Sequence, residues 1–273
     1  MTNTLKQYAQ SLRLSGLVST LEVRLQEAQA NRLPYEQFLE LVFQDELNVR
    51  DQRQIARRNK AAAFRDRRSL DNFDFSFNPS INRAQIYELA ACHFIRAQRD
   101  LLLVGPPGVG KSHLAQAIGA EAVKAGFTVL YRSVFDTVRE LCGEQAQISE
   151  HRLMAKYLKP DLLIIDDMGL KILPPKSGEI LLEIIMRRYE NRSTLMTSNR
   201  PIEEWGKLLC DVPAASAILD RLLHHAEVIP ITGRSYRLQE SATQRTAQKP
   251  KPRQEKSDDL NDVGEPRFPK PLL

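Results

Sequence analysis

Leu14, Val18, Leu21 and Leu25 recur three or four positions apart, the spacing that lines one face of a helix. After Pro34, Tyr35, Phe38, Leu39 and Val42 form a second apolar face of the same period. Beyond about residue 81 the pattern changes. Short apolar runs, LLLV (101–104), TVLY (128–131), LLII (162–165), TLMT (194–197) and EVIPI (227–231), alternate there with helical stretches. Strands separated by helices imply parallel βαβ units with helices on both faces of the sheet. The expected fold class is therefore α/β, with a five-stranded parallel core sheet preceded by a small all-α N-terminal domain.

The same patterning divides the chain. Residues 1–70 read as the helical domain. Residues 71–80, DNFDFSFNPS, have no helical period, end in Asn-Pro-Ser and carry three phenylalanines, so they read as a hinge packed onto the next domain. The α/β domain takes 81–239. From 240 to 273 the chain is rich in Pro, Lys, Gln, Glu and Asp, too poor in large apolar groups to offset its ordering entropy, and is expected to be a disordered tail.

Composition adds constraints. At 273 residues there is enough chain for a full core and a smaller module. No apolar run approaches the roughly 18 residues of a membrane span, and the N-terminus lacks a secretory apolar core. Three cysteines far apart, Cys92, Cys142 and Cys210, point to reduced thiols in or near apolar packing. A cytoplasmic protein with no membrane partner is the expectation. The net charge of +5 is modest, but its distribution is not even. Arg50, Arg53, Arg57, Arg58 and Lys60, then Arg65, Arg67 and Arg68, form a basic run that only Asp51 and Asp66 interrupt with negative charge. Charge pattern alone leaves a solvated helix face and a phosphate-contacting face equally open.

GPPGVGKS, residues 105–112, satisfies the G-x-x-x-x-G-K-[ST] pattern, and it lies between an apolar strand and a helical stretch as that motif requires. Gly105, Gly108 and Gly110 let backbone N–H groups converge on phosphate oxygens, and the helix starting near Lys111 adds its positive end. Nucleotide binding is assigned to Gly105, Pro106, Pro107, Gly108, Val109, Gly110, Lys111, Ser112 and His113, with Lys111 on the β- and γ-phosphates and the Ser112 hydroxyl on Mg²⁺. LLIIDD (162–167) delivers two acids from an apolar strand: Asp166 to hold Mg²⁺ and Asp167 to orient or deprotonate the attacking water. Many ATPases of this class have Glu second, and Asp is one methylene shorter. Asn199, after the TLMT run, is placed to contact the γ-phosphate and the water. Arg221 is assigned in trans, on a neighbouring subunit's nucleotide, and Arg237 in cis.

With these residues in view, the chain resembles the IstB-like AAA+ helper ATPases of insertion-sequence transposons, relatives of the DnaC helicase loaders. The resemblance is carried by LRLSGL, YEQFLELVFQDEL, FDFSF, GPPGVGKSHLAQAIG, LLIIDDMG, TSNRPIEEW and DRLLHHAEVIPITGRSYRL, and covers nearly all but the tail. It implies a P-loop AAA+ domain that uses ATP and Mg²⁺, a homo-oligomer with active sites at subunit interfaces, duplex DNA bound mostly without sequence preference, and a cognate transposase as partner. It also supports the finger role for Arg221, the cis contact for Arg237, and phosphate-backbone contacts for Arg50 to Arg68. The alternative is a DnaC-like replicative helicase loader, although residues 1–70 contain no cysteine for a metal-bound helicase-binding module. A P-loop small-molecule kinase would have no use for an intersubunit arginine. His224 and His225, with no carboxylate at ligand spacing, read as packing or subunit contact, and Trp205 reads as helix packing.

Overall fold

The computed structural model describes residues 3–236 and 238, with the side chains of residues 3 and 144–150 left aside. Arg237 and the expected tail, 240–273, lie outside the described residues. Three helices come first: α1 (Asn3–Ser11), α2 (Ser15–Asn31) and α3 (Tyr35–Ala62). Next come α4 (Arg83–Ala90), α5 (His93–Arg96), β1 (Asp100–Val104), α6 (Lys111–Lys124), β2 (Val129–Ser133), α7 (Val134–Cys142) and α8 (Glu144–Leu158). The chain continues through β3 (Leu162–Met168), α9 (Ser177–Arg188), β4 (Ser193–Ser198), α10 (Trp205–Leu209), α11 (Val212–His225) and β5 (Ala226–Pro230).

The five strands make one sheet in the order β2-β3-β4-β1-β5, and every pairing is parallel. Successive side chains of a strand leave opposite faces. Leu101, Leu103, Tyr131, Ile164 and Leu195 accordingly join Ile86 of α4 and Leu114 and Ile118 of α6 in one core. Leu102, Leu130, Leu163, Ile165 and Met196 meet α7 to α11 in the other, where Trp205 is fully buried. Because all strands run the same way, every strand ends at one edge of the sheet, and the loops there form the crevice where ligands of open α/β sheets bind.

The N-terminal helices form a hairpin of α2 on α3. No side chain of α2's own N-cap residue closes its first turn. Instead, Glu46 of α3 is buried and accepts hydrogen bonds from the Gly16 and Leu17 N–H groups at 2.7 and 3.1 Å. A carboxylate there meets both free N–H groups and the positive end of the helix. Arg24 on α2 makes a forked pair with Asp45, each contact at 2.8 Å, and holds that carboxyl down to about 2 through its hydrogen bonds. The helices approach so closely that a Cβ on Gly16 would lie 2.7 Å from Glu46 Cα and 2.8 Å from the Asp45 carbonyl. Backbone atoms cannot swing aside, so Gly16→Ala is expected to part the hairpin at a cost of about 1–3 kcal/mol. Hydrogen exchange at the Leu17 amide should then accelerate while β1 stays protected; unchanged protection would mean the hairpin yields freely.

Two expectations from the sequence do not hold. Tyr35 and Leu39, expected on the packed face of α3, are exposed, and only Val42 of that set is fully buried. Helix α3 packs on α2 over this length, and its outer apolar residues Tyr35, Leu39, Phe43 and Leu47 stay at the surface. The helical reading to about residue 70 also overshoots, since α3 stops at Ala62. Ala62 is buried and Ala63 turns left-handed at φ 54°, which inserts Phe64 into the core beside Ile164 and Gly119. Packing outweighs the helical propensity of the alanines. The hinge aromatics do pack: Phe73 and Phe75 lie against the first core, and Phe77 against Tyr236. Of the cysteines, Cys92 is buried, whereas Cys142 and Cys210 are exposed.

Candidate functional site

The loop after β1 curls as its glycines demand. Gly108 and Gly110 take φ of +85° and +103°, the left-handed region that L side chains rarely adopt. A Cβ on Gly105 would fall 1.9 Å from the Ile231 carbonyl oxygen, so the chain after β5 lies directly across the loop. Its hold is backbone to backbone: Ile231 N–H donates to the Val104 carbonyl at 2.7 Å, and Tyr236 N–H to that of Gly108 at 3.0 Å. Helix α6 begins at Lys111, whose buried ammonium donates to the Gly105 and Pro106 carbonyls at 2.7 and 2.8 Å.

Facing this loop, β3 ends in a bulge. Its register against β4 shifts between Ile165 and Met168, and Asp167 sits at φ +67°. A bulge turns side chains that a regular strand would point elsewhere. Asp166 is fully buried and accepts hydrogen bonds from three hydroxyls: Ser112 at 3.0 Å, Tyr131 at 2.5 Å and Thr197. Burial, and then the Asp166 charge, push the Tyr131 phenol well above its ordinary pKa, so it stays protonated as a donor. The Thr197 hydroxyl also accepts from the Asp167 N–H at 3.1 Å, which fixes the two acids relative to β4. Asn199 comes directly after β4 next to this bulge, its N–H donating to the Met168 carbonyl at 2.8 Å.

The loop, Ser112, both acids and Asn199 thus share one edge of the sheet. Pro106, Pro107 and Val109 lie within the loop. The His113 imidazole is turned to the hinge: its Nε2 lies 2.9 Å from the Ser69 carbonyl, its ring packs edge-on against Phe73, and burial lowers its pKa. Arg221 is not at this edge. Helix α11 ends at His225, and β5 begins at Ala226 level with Asp100, the first residue of β1. The loop leaves β1 after Val104, at the opposite end of the strand. Arg221, one turn before the end of α11, is paired with its neighbour Asp220 at 3.1 Å.

The basic run is dispersed. At 100° per residue, Arg50, Arg53, Arg57 and Lys60 fall on one stripe of α3. Arg50 is paired with Glu46 at 2.7 Å and Arg53 with the Ser15 hydroxyl at 2.5 Å. Arg58 is turned off the stripe, its guanidinium near Gly126, and is partly buried. Arg67 is exposed, and Arg68 pairs with Asp66. Arg65 points into the site, with its guanidinium 3.3 Å from the Asp167 carboxylate. Sequence reasoning missed this contact, and it missed Tyr131 and Thr197. Thr197 left a trace as the polar residue closing the TLMT run; Arg65 and Tyr131 left none, because only the turn at Ala63 and the strand order bring them to the acids.

The family of IstB-like ATP-binding proteins matches residues 7–244. The chain belongs to this family. It is 34% identical over 249 residues to an ATP-binding protein of insertion sequence IS5376 from Geobacillus stearothermophilus, covering 91% of this chain and 99% of that one. It is 36% identical over 229 residues to that of insertion sequence IS21 from Pseudomonas aeruginosa, covering 84% and 86%. Among solved structures, the DnaC helicase loader aligns with a TM-score of 0.52 at 26% identity, over 60% of this chain and 96% of its own. DnaI aligns at 0.51 and 27%, over 62% and 90%. This IstB-like protein therefore has the AAA+ fold, a five-stranded parallel sheet with a helical N-terminal region, and belongs to the P-loop ATPases of insertion elements and DnaC-like machinery. No helix among its described residues is long and apolar enough to cross a membrane.

The site fits its nucleotide on its own chemistry. A loop whose glycines hold left-handed φ just before a helix N-terminus turns backbone N–H groups in the way that suits phosphate, and a carboxylate with a serine hydroxyl is the oxygen donor set that suits Mg²⁺.

Proposed function

We propose that this IstB-like protein is a transposition helper that binds Mg-ATP between subunits, assembles on duplex DNA without marked sequence preference, hydrolyses the nucleotide and recruits its cognate transposase. The observation that carries the interface reading is the separation of Arg221 from the P-loop across the length of the sheet. An arginine at that edge is out of reach of its own chain's nucleotide and free to serve a neighbour's. In this reading Gly105 to His113 cradle the phosphates, Lys111 leaves its two loop carbonyls for the β- and γ-oxygens, and Ser112 and Asp166 hold Mg²⁺. The bound ion neutralises phosphate charge and orients the γ-group. Asp167 orients the water and receives its proton, and Asn199 aligns that water. Arg237 serves as the cis contact. Arg50, Arg53, Arg57 and Lys60, with Arg58, Arg67 and Arg68, provide phosphate-backbone contacts, which position the protein without reading sequence. Arg65 links that basic run to Asp167.

A helicase loader is the second reading, favoured by the likeness to the DnaC loader. Co-purification separates the two, since a loader retains the replicative helicase and a transposition helper the transposase.

The test is phosphate release with and without duplex DNA by Lys111→Ala, Arg221→Ala and their mixture. Each variant alone is expected to be inactive. In an equal mixture about one head-to-tail interface in four joins an intact Lys111 to an intact Arg221, so about a quarter of parental release should return. Full activity of Arg221→Ala alone, or no recovery on mixing, would remove the intersubunit site.

A further inference from the structure

A second cluster lies at the edge of the sheet where the strands begin. His224 and His225 close α11, and Glu190 stands in the turn between α9 and β4 at φ +56°. One nitrogen of each histidine and a carboxylate oxygen of Glu190 all lie within 4.8 Å of one another. His225 Nε2 is 3.1 Å from the carboxylate, and the two imidazole centroids are 4.1 Å apart. Folding brings the Glu190 carboxylate to the paired histidines from 35 residues upstream of His225.

We propose that Glu190, His224 and His225 form a site for one divalent transition-metal ion of the zinc class. Two neutral imidazole nitrogens and one carboxylate oxygen are a donor set that zinc takes in tetrahedral sites with a fourth position open. With bonds of about 2.0–2.1 Å, tetrahedral donors stand roughly 3.3 Å apart. Closing from 4.8 Å asks only for small rotations of side chains that are exposed or half-buried. The ion takes the place of the hydrogen bond between His225 and Glu190. Tyr189 supplies the outer contact: its hydroxyl lies 2.6 Å from His224 Nδ1. With Nδ1–H donating to that oxygen, Nε2 keeps its lone pair for the metal, as outer partners of metal-bound histidines commonly arrange. Imidazole donors select against Mg²⁺, so the site is chemically distinct from the oxygen donors at Ser112 and Asp166. Bound there, the ion ties the end of α11 to the turn before β4.

The experiment is titration of untagged, chelator-stripped full-length protein with Zn²⁺ against a chromophoric competitor, and with Co²⁺ followed by its visible absorption. One ion per chain at micromolar affinity is expected, with the intense absorption of tetrahedral cobalt. Glu190→Gln should weaken binding about tenfold or more, and His224→Ala/His225→Ala should abolish the cobalt spectrum. Cys142→Ser/Cys210→Ser should leave both unchanged. The proposal is overturned if zinc does not bind below millimolar concentration, if the double histidine variant binds like the parent, or if the cysteine variant alone loses the ion.

Discussion

Asp167→Asn is expected to lower phosphate release from Mg-ATP by on the order of a hundredfold or more, while the proposed ATP-dependent assembly on DNA persists. The size reflects the contribution of a positioned base, about 10²–10⁴ in rate. The retained assembly reflects the division of labour at the bulge, because the hydroxyl bonds of Ser112, Tyr131 and Thr197 converge on Asp166. Asparagine is the informative replacement. Position 167 holds φ +67°, where Asn is tolerated far better than Ala, so the variant removes charge without adding strain. The Asp167 N–H bond to Thr197 is a backbone contact and survives. Single-turnover phosphate release beside sedimentation of nucleotide-bound assemblies on duplex DNA makes the comparison. Parental turnover would remove Asp167 from the chemistry, and loss of assembly would make it a structural residue.

The largest effect on stability is expected at Arg188. Its side chain is 1% exposed at the strand-start edge, and it donates to the Tyr157 and Pro160 carbonyls, each at 2.9 Å, to the Ser193 carbonyl at 2.5 Å and to the Thr194 hydroxyl at 3.2 Å. One guanidinium thereby closes the ends of α8, β3 and β4. Arg188→Met keeps the volume and strands those acceptors, and should cost about 3–5 kcal/mol, much of a typical domain's stability. Asp100 adds a pH dependence. Burial pushes its carboxyl up to about 6, against the pull of the Thr194 N–H and of Arg188. A folded-state value above the unfolded one near 3.9 means a contribution that is complete below about pH 4 and lost as pH rises through 6. Without the Arg188 charge, that carboxyl titrates higher still. The deficit of the variant in urea unfolding should therefore be larger at pH 7.5 than at pH 5. An equal deficit at both would uncouple the two residues.

Much of this was legible from residue order. Four of the five strands begin and end within two residues of their apolar runs, and β3 runs three residues past its own; the inner strands are buried on both faces and so read as apolar segments. The P-loop was legible because its glycines are required by backbone shape. Three things were hidden, for one reason: each depends on which distant segments become neighbours. The run from Arg50 to Arg68 reads as one basic surface, but the left-handed turn at Ala63 sends Arg65 to Asp167 and leaves Arg53 and Arg57 on the helix. The outer residues of α3 share a period with the buried ones, and the packing on α2 decides which are covered. Glu190 comes to the histidines through the packing of α9 on α11, which nothing in their spacing forecasts.

In the proposed assembly, the P-loop and Arg221 at opposite ends of one parallel sheet would give each subunit two unlike faces, so a row built through them would have a direction. Such a row would contain one fewer complete catalytic centre than it has chains, because the first member's loop or the last member's arginine would go unmatched. Turnover per chain would then climb with the length of the row, steeply for short ones, and level off only when the row is long or its two ends meet.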